Sequence, residues 1–457
     1  SQGRTNATII ADALAKLPAE TQNEYNLIIG DLITTGEEGL LDIIGRMNPP
    51  GKISNETYEF AISGWTHFVA KDNKLRSEAA GVFEKALSMP YDREIKAYLI
   101  RQLRTIGSDD NVEVLAGFLN DNYLSDPAAQ ALVSIGTDKS NSALLKALET
   151  ASSDIIKLNL VNALGQTDHT PAEPALLSLL GNNNSDKMDK VLLNALANVG
   201  TKASVKPLRN TAEAVDYSYS KGNAVGSYLT LLDRLKNKEA KIVKKEANRL
   251  LTAASKQNQN DLKVAATKLL LEQSSTKPDK ILKNVIKDGN INYLTNVLKS
   301  YPFRNDKKSV NLIQKELVKN KSPEVLTALI YWLGENQPDN TASLLTKHIN
   351  SPNKTVQKAV TQSLVKVGGE KSMLALASLL KSDDKATVGL AKNALMSYDG
   401  EISYTLASVF DDSNSTGKKA ILDLIANRKM NNQYNLVFNQ MFSDDDEIKA
   451  VAANTLK

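Results

Sequence analysis

The chain has 457 residues, 42% of them hydrophobic but only 5% aromatic, with a formal net charge of +4. That length allows two or three ordinary domains or one long repeat array, and an aliphatic interior suits helix-on-helix packing better than a β-sandwich. Cysteine is absent, which excludes disulfide frameworks, thiolate metal sites and a cysteine nucleophile.

The chain opens Ser1-Gln2-Gly3, with neither Met nor a basic and apolar leader. It reads as a mature or trimmed chain from which any signal peptide has been removed. No run approaches the roughly 18 apolar residues of a membrane span, so a soluble protein is expected. Residues 1–89 form a divergent N-terminal helical region. "IIADALAKLP" and "YNLIIGDLITTGEEGLLDIIGRMNPPGK" read as helical segments, with Asn48-Pro49-Pro50-Gly51 as a loop.

From residue 90 one phrase recurs, as "RQLRTIGSDDNVEVLAGFL", "QALVSIGTDKSNSALLKALE", "NALANVGTKASVKPL" and "QSLVKVGGEKSMLALASLL". Its glycine falls at Gly107, Gly136, Gly165 and Gly200 within 90–210, and at Gly334, Gly368 and Gly400 within 321–457. The spacings are 29, 29 and 35 in the first group and 34 and 32 in the second, the drift that helix-pair repeats show. Four residues before it stand Leu103, Leu132, Val161, Leu196, Ile330, Leu364 and Met396, all apolar. One before it, only Asp399 is polar. At 100° per residue these offsets share one narrow arc, so each segment carries a single buried stripe. The glycine is expected to be a left-handed C-cap. Eight residues beyond, Leu115, Leu144, Leu208 and Leu376 open the next stripe, and Pro127, Pro323 and Pro352 are expected in first turns. One helix cannot bury such a stripe alone. The predicted fold is all-α, an α-solenoid (α-α superhelix) of roughly ten to twelve stacked helix pairs.

"SPNKTVQKAVTQSLVKVGG" (351–369) resembles the second helix of a HEAT repeat, with Val356, Ala359, Leu364 and Gly368 in family positions. Gln357, and Lys449 in the last copy, stand where that family often has Arg. The departure puts the family's Asp–Arg ladder in doubt but not the fold. The segment 211–320, with "KEAKIVKKEANRLLTAAS" and "DLKVAATKLLLEQ", reads as divergent basic helical repeats without the glycine. Taken with 1–89, the array is similar to the helical N-terminal region of exported Bacteroidetes proteins, where HEAT repeats precede a jelly-roll domain of the 3-keto-disaccharide hydrolase type. That resemblance implies an exported protein, periplasmic or at the cell surface; the alternative is a cytoplasmic one.

Chemistry-bearing motifs are sparse. His67, His169 and His348 are isolated from one another, so scattered surface or packed histidines are expected rather than a metal site. The acidic clusters Asp109-Asp110, Asp383-Asp384, Asp411-Asp412 and 444–447 fall where new helices should begin, as capping carboxylates do. No phosphate loop, GxSxG elbow or HExxH helix is present, and no catalytic residue, cofactor or metal is assigned. Residues 234–321 hold 21 Lys+Arg against 8 Asp+Glu, while the rest of the chain holds 35 against 44.

Six residues before the glycine come Arg101, Gln130, Asn159, Asn194 and Gln362, with Ala328 and Ala394 as exceptions. This column lies about 140° from the position preceding the glycine, away from the stripe. In HEAT-like arrays the glycine-ended helix lines the concave face, which makes these five the candidate binding residues. An amide ladder between repeats, or plain solvated polarity, is the other reading. The expected function is a monomeric, non-catalytic scaffold for a protein or glycan partner, with or without a downstream catalytic domain. Two rivals stand beside it: an enzyme-associated or lyase-like HEAT protein with a dispersed catalytic site, and a nucleic-acid-binding array whose 234–321 lysines converge on the concave side. Ile448 matches Val356, so the next cap would fall at 448 + 12 = 460, beyond Lys457. On that count 321–457 is expected to be truncated.

Overall fold

The computed structural model describes residues 3–182 and 184–457. Contacts gather into two compact units, 1–242 and 243–457. Among the described residues there is no strand.

The first unit begins with α1 (Asn6–Ala15). Its helices then alternate between two rows. The front row is α2 (Gln22–Ile33), α4 (Glu56–Val69), α6 (Arg93–Ile106), α8 (Ser125–Ile135), α10 (Asp154–Leu164), α12 (Asp186–Val199) and α14 (Ala224–Leu235). The back row is α3 (Gly36–Gly45), α5 (Asn73–Leu87), α7 (Val112–Ala116), α9 (Asp138–Thr150), α11 (Glu173–Leu180) and α13 (Val205–Ala214). The second unit takes most of α15 (Ala240–Lys256) and repeats the plan. Its front row is α16 (Asn260–Leu271), α18 (Ile291–Ser300), α20 (Pro323–Asn336), α22 (Lys354–Val367), α24 (Lys385–Ser397), α26 (Ser415–Asn427) and α28 (Asp446–Thr455). Its back row is α17 (Pro278–Asp288), α19 (Lys307–Lys319), α21 (Thr341–Thr346), α23 (Gly369–Ser378), α25 (Ser403–Phe410) and α27 (Tyr434–Asn439). Within each unit every front-row helix packs on the next front-row helix, and back-row helices lie behind them.

The stripe read from sequence is the core. Leu103, Leu132, Val161, Leu196, Ile330 and Leu364 are each 0% exposed. Leu115, Leu144, Leu208 and Leu376 of the back row are equally buried against them. Each contact therefore removes apolar surface that neither helix could cover alone.

The capping role expected of the glycines needs correction. Gly136 and Gly368 have φ of 67° and do end their helices, each donating its N–H to the leucine carbonyl four residues back. Gly107 and Gly200 end helices in an extended conformation instead. Gly334 is inside α20, whose left-handed cap is Gln337 (φ 47°). A Cβ on Gly334 would lie 2.7 Å from Ser363 Cβ, so this glycine serves the close approach of α20 and α22. Gly400 lies beyond the end of α24.

Two smaller expectations are also corrected. Pro352 precedes the N-cap Asn353 rather than entering the first turn. Asp411 and Asp412 follow the end of α25, and Asn414 caps α26 instead. Asp384 and Asp445 do cap helices, as expected.

Candidate functional site

The N-caps give a more regular ruler than the glycines. From N-cap to C-cap run Asp92 to Gly107, Ser185 to Gly200, Ser322 to Gln337 and Asn353 to Gly368, a difference of 15 each time. In the second unit the caps Ser322, Asn353, Asp384, Asn414 and Asp445 follow one another at steps of 31, 31, 30 and 31. A cap oxygen is fixed to one backbone position by the N–H it accepts, so it marks register better than a glycine that can have two uses.

In the helices capped by Asp92, Ser185, Asn290, Ser322, Asn353, Asp384, Asn414 and Asp445 the ninth residue after the cap is polar, whereas in α2, α4, α8 and α14 it is Gly30, Gly64, Val133 and Leu232. The first unit supplies Arg101 and Asn194. The second supplies Lys299, Tyr331, Gln362, Asn393, Asp423 and Asn454. All are exposed except Asp423, which is half-buried. In the shorter helices α8 and α10 the residues predicted from sequence stand six after the cap, at Gln130 and Asn159, both half-buried. The five residues predicted from sequence thus lie on the solvent side of the front row. Ala328 and Ala394 are each 6% exposed and lie off the column; Tyr331 and Asn393 take those places. The glycine phase missed them because Gly334 and Gly400 are not helix ends.

Not all of the column is free. Asn159 Nδ2 donates to Ser125 Oγ on α8 (3.0 Å), and Tyr331 donates its hydroxyl to Gln362 Oε1 (2.7 Å). Lys392 reaches Asp423 at 2.8 Å. In the first unit Tyr25 donates to the Phe60 carbonyl (2.8 Å) and Tyr98 to the Glu59 carbonyl (3.0 Å), tying α2, α4 and α6 together. Burial pushes the Tyr98 phenol up to about 12 against the opposing hydrogen bond from Ser63, and burial also raises that of Tyr331. Both stay protonated as donors near neutral pH. Among the described residues the side chains of Arg101, Gln130, Asn194 and Asn393 make no hydrogen bond within the protein.

The seams beside the column are closed by other groups. Arg76 Nε donates to the Ile106 carbonyl, Arg234 to those of Ala197 and Gly200, and Arg428 to that of Gly400, at 2.7–2.9 Å for the shortest contact of each. These cations sit at the negative ends of front-row helices, where orphan carbonyls and the helix dipole favour them. From α20 to α28 each front-row junction carries one lysine–carboxylate pair: Glu335–Lys366, Lys354–Asp384, Lys392–Asp423 and Lys419–Glu447. The Lys354 hydrogen bond, then that of Thr387, holds the Asp384 carboxyl below its usual range. Gln357, in the place where an arginine was looked for, is 2% exposed. It donates to the Ile349 carbonyl (2.8 Å) and accepts from Thr387 of the next repeat (3.0 Å). A neutral amide thus makes the link between repeats without a buried charge.

The junction of α18 and α20, though packed, carries a cleft of about 630 Å³ lined by Ile291, Leu298, Pro302, Ala328, Tyr331 and Trp332, with Lys299 and Arg304 at its edge. The turn at 301–306, with Phe303 fully buried, carries Tyr301 and Arg304 to this side. Sequence reading did not find this cleft.

No group of three or more His, Asp and Glu among the described residues is arranged to hold a metal. His67 bonds to the Ser63 carbonyl within its own helix and His348 Nε2 donates to the Leu317 carbonyl (2.6 Å). The basic block is spread over several helices: Lys241, Lys244, Lys245 and Arg249 on α15, Lys263 and Lys268 on α16, Lys280, Lys283 and Lys287 on α17, and Lys308, Lys315 and Lys319 on α19. It does not converge on the front row, as the nucleic-acid reading required. No helix is long and apolar enough to cross a membrane among the described residues.

The family of HEAT repeats matches residues 310–396, from α19 to α24. No curated protein matches the chain in sequence. Among solved structures, a mutant of Kap121p superposes with a TM-score of 0.53 at 12% identity, over 98% of this chain and 56% of that one. Kap121p bound to RanGTP gives 0.49 at 11% identity, again over 98% and 56%. The chain thus spans little more than half the length of the Kap121p chains it resembles. Residues 310–396 thus match HEAT repeats in sequence, and the fold is an α-solenoid of HEAT-like helix pairs.

Proposed function

We propose that the protein is a non-catalytic binding scaffold whose front-row face recognises a polypeptide partner. The observation that carries this reading is the column nine residues after the cap in α6, α12 and each front-row helix from α18 to α28. It is polar in all of these, and the side chains of Arg101, Asn194 and Asn393 have no internal partner. A side chain needed only for cohesion would be engaged with its neighbour, as Asn159 and Gln362 are. Within each unit the front row is also the more closely packed layer, which in a curved two-layer stack is the inner one. The similarity of the N-terminal pattern to exported Bacteroidetes proteins supports an exported setting, to be tested by fractionating the source cells.

A photo-crosslinking residue placed at Asn194 or Asn393, and for comparison at Lys283 on the back row, tests the function. Crosslinks from the two front-row sites to the same polypeptide, absent from Lys283, are expected. Equal capture from both rows, or capture only of glycan, would refute the reading.

A further inference from the structure

Every other front-row junction of the second unit from α20 onward is closed by a lysine–carboxylate pair, whereas α18 and α20 leave the cleft between them. Its walls are mainly apolar: Ile291 and Leu298 from one helix, Ala328 and Trp332 from the other. Tyr331 is 40% exposed at its mouth, held in place by Gln362. An apolar cleft of this size takes one or two large side chains.

The charges at the edge select among occupants. Lys299 and Arg304 are exposed, and among the described residues no carboxylate pairs with either. Glu335, the one carboxylate lining the cleft, is paired with Lys366. The rim therefore presents two uncompensated cations and one neutralised anion, which favours an anionic segment. Tyr331 belongs to the polar column, so a chain leaving the cleft passes directly onto Gln362 and Asn393. A small molecule would have no use for that continuity.

We propose that the α18–α20 cleft binds an acidic peptide segment by inserting one aromatic side chain between Leu298 and Trp332, with Lys299 and Arg304 holding the flanking carboxylates. This rests on the scaffold reading and names the chemistry of its partner.

The test uses the full 457-residue chain and a fluorescein-labelled decapeptide of Asp and Glu with one central Phe, followed by anisotropy. Two control peptides carry Ser for the Phe, or Lys and Arg for the acids. The acidic Phe peptide should bind about ten-fold or more tighter than either control, less tightly as salt rises. Lys299→Glu with Arg304→Glu, both at exposed positions, should weaken it by at least about ten-fold and strengthen binding of the basic peptide. Thr327→Trp, which fills the cleft from α20, should weaken the acidic peptide without that reversal. Equal binding of the acidic and basic peptides, insensitivity to the charge reversal, or binding of neutral oligosaccharides in place of peptide would each overturn the proposal. Crosslinks to a polypeptide from Asn194 and Asn393 without any of these peptide effects would leave the scaffold and remove the acidic ligand. Peptide binding here without such crosslinks would do the opposite.

Discussion

Replacing Gly334 with alanine separates two roles a glycine can have. It is a right-handed helical residue inside α20, and an added Cβ would lie 2.7 Å from both Cβ and Oγ of Ser363 and 3.1 Å from its Cα. No χ1 rotation moves Ser363 Cβ or Cα, so the two helices must separate by several tenths of an ångström. Overpacking of this kind costs about 1–3 kcal/mol, while alanine in a helix interior gains about 1 kcal/mol over glycine. The net expectation for Gly334→Ala is a loss of about 0–2 kcal/mol. Ser363→Gly removes the two atoms at 2.7 Å, leaving only Cα. In the double variant the penalty should shrink, giving a favourable coupling of about 1–2 kcal/mol. Urea unfolding followed by circular dichroism measures the energies, and hydrogen exchange of peptides from α20 and α22 localises them. A stabilised Gly334→Ala, or a double variant additive to within about 0.5 kcal/mol, would show that the helices do not meet at this residue.

Three further outcomes follow from the same contacts. Leu364→Ala and Leu132→Ala, each at a fully buried position, should cost about 2–5 kcal/mol; exchange should rise most in the adjacent repeats, and a uniform rise along the chain would contradict nearest-neighbour stacking. Arg234→Met should strand the carbonyls of Ala197 and Gly200, costing about 1–3 kcal/mol, with faster exchange at the end of α12. Tyr98 has a folded value of about 12 against 10.0 for the free group, so folding favours its protonated form. The stability this contributes is complete below pH 10.0 and fades as pH rises toward 12. In ultraviolet titration the difference between wild type and Tyr98→Phe should show a phenol ionising near 12, and ionisation near 10.0 would refute its burial.

Periodicity made the buried faces legible because burial acts on every turn: Leu103, Leu132 and Leu364 repeat the same offset and reach the same 0% exposure. Glycine was a poorer guide. At Gly368 it supplies a positive φ and at Gly334 the absence of a side chain, and one letter stands for both. Tyr331 and Asn393 were therefore read one to three residues out of phase, although the caps Ser322, Asn353 and Asp384 held the correct register in plain view. The α18–α20 cleft was not legible at all. A hydrophobic pattern tells which side of Ile291–Ser300 is apolar, but the separation of that helix from α20 depends on how the 301–306 turn packs Phe303.

The division of labour among polar side chains bears on what the front face can recognise. Cohesion between repeats is supplied mostly near helix ends, by Arg76, Arg234 and Arg428 on carbonyls, by Gln357, and by the pairs Lys354–Asp384 and Lys419–Glu447 beside caps. These contacts leave mid-helix positions such as Asn194 and Asn393 without a structural duty. Packed helices stand about 8–10 Å apart, and an extended chain advances about 3.3 Å per residue, so one repeat corresponds to about three residues of an extended ligand. Amide side chains can both donate and accept, and at that spacing they match the main chain of any sequence. They would supply affinity along the face but little choice between sequences. On the proposed reading, selectivity would then fall to the α18–α20 cleft with its unpaired Lys299 and Arg304.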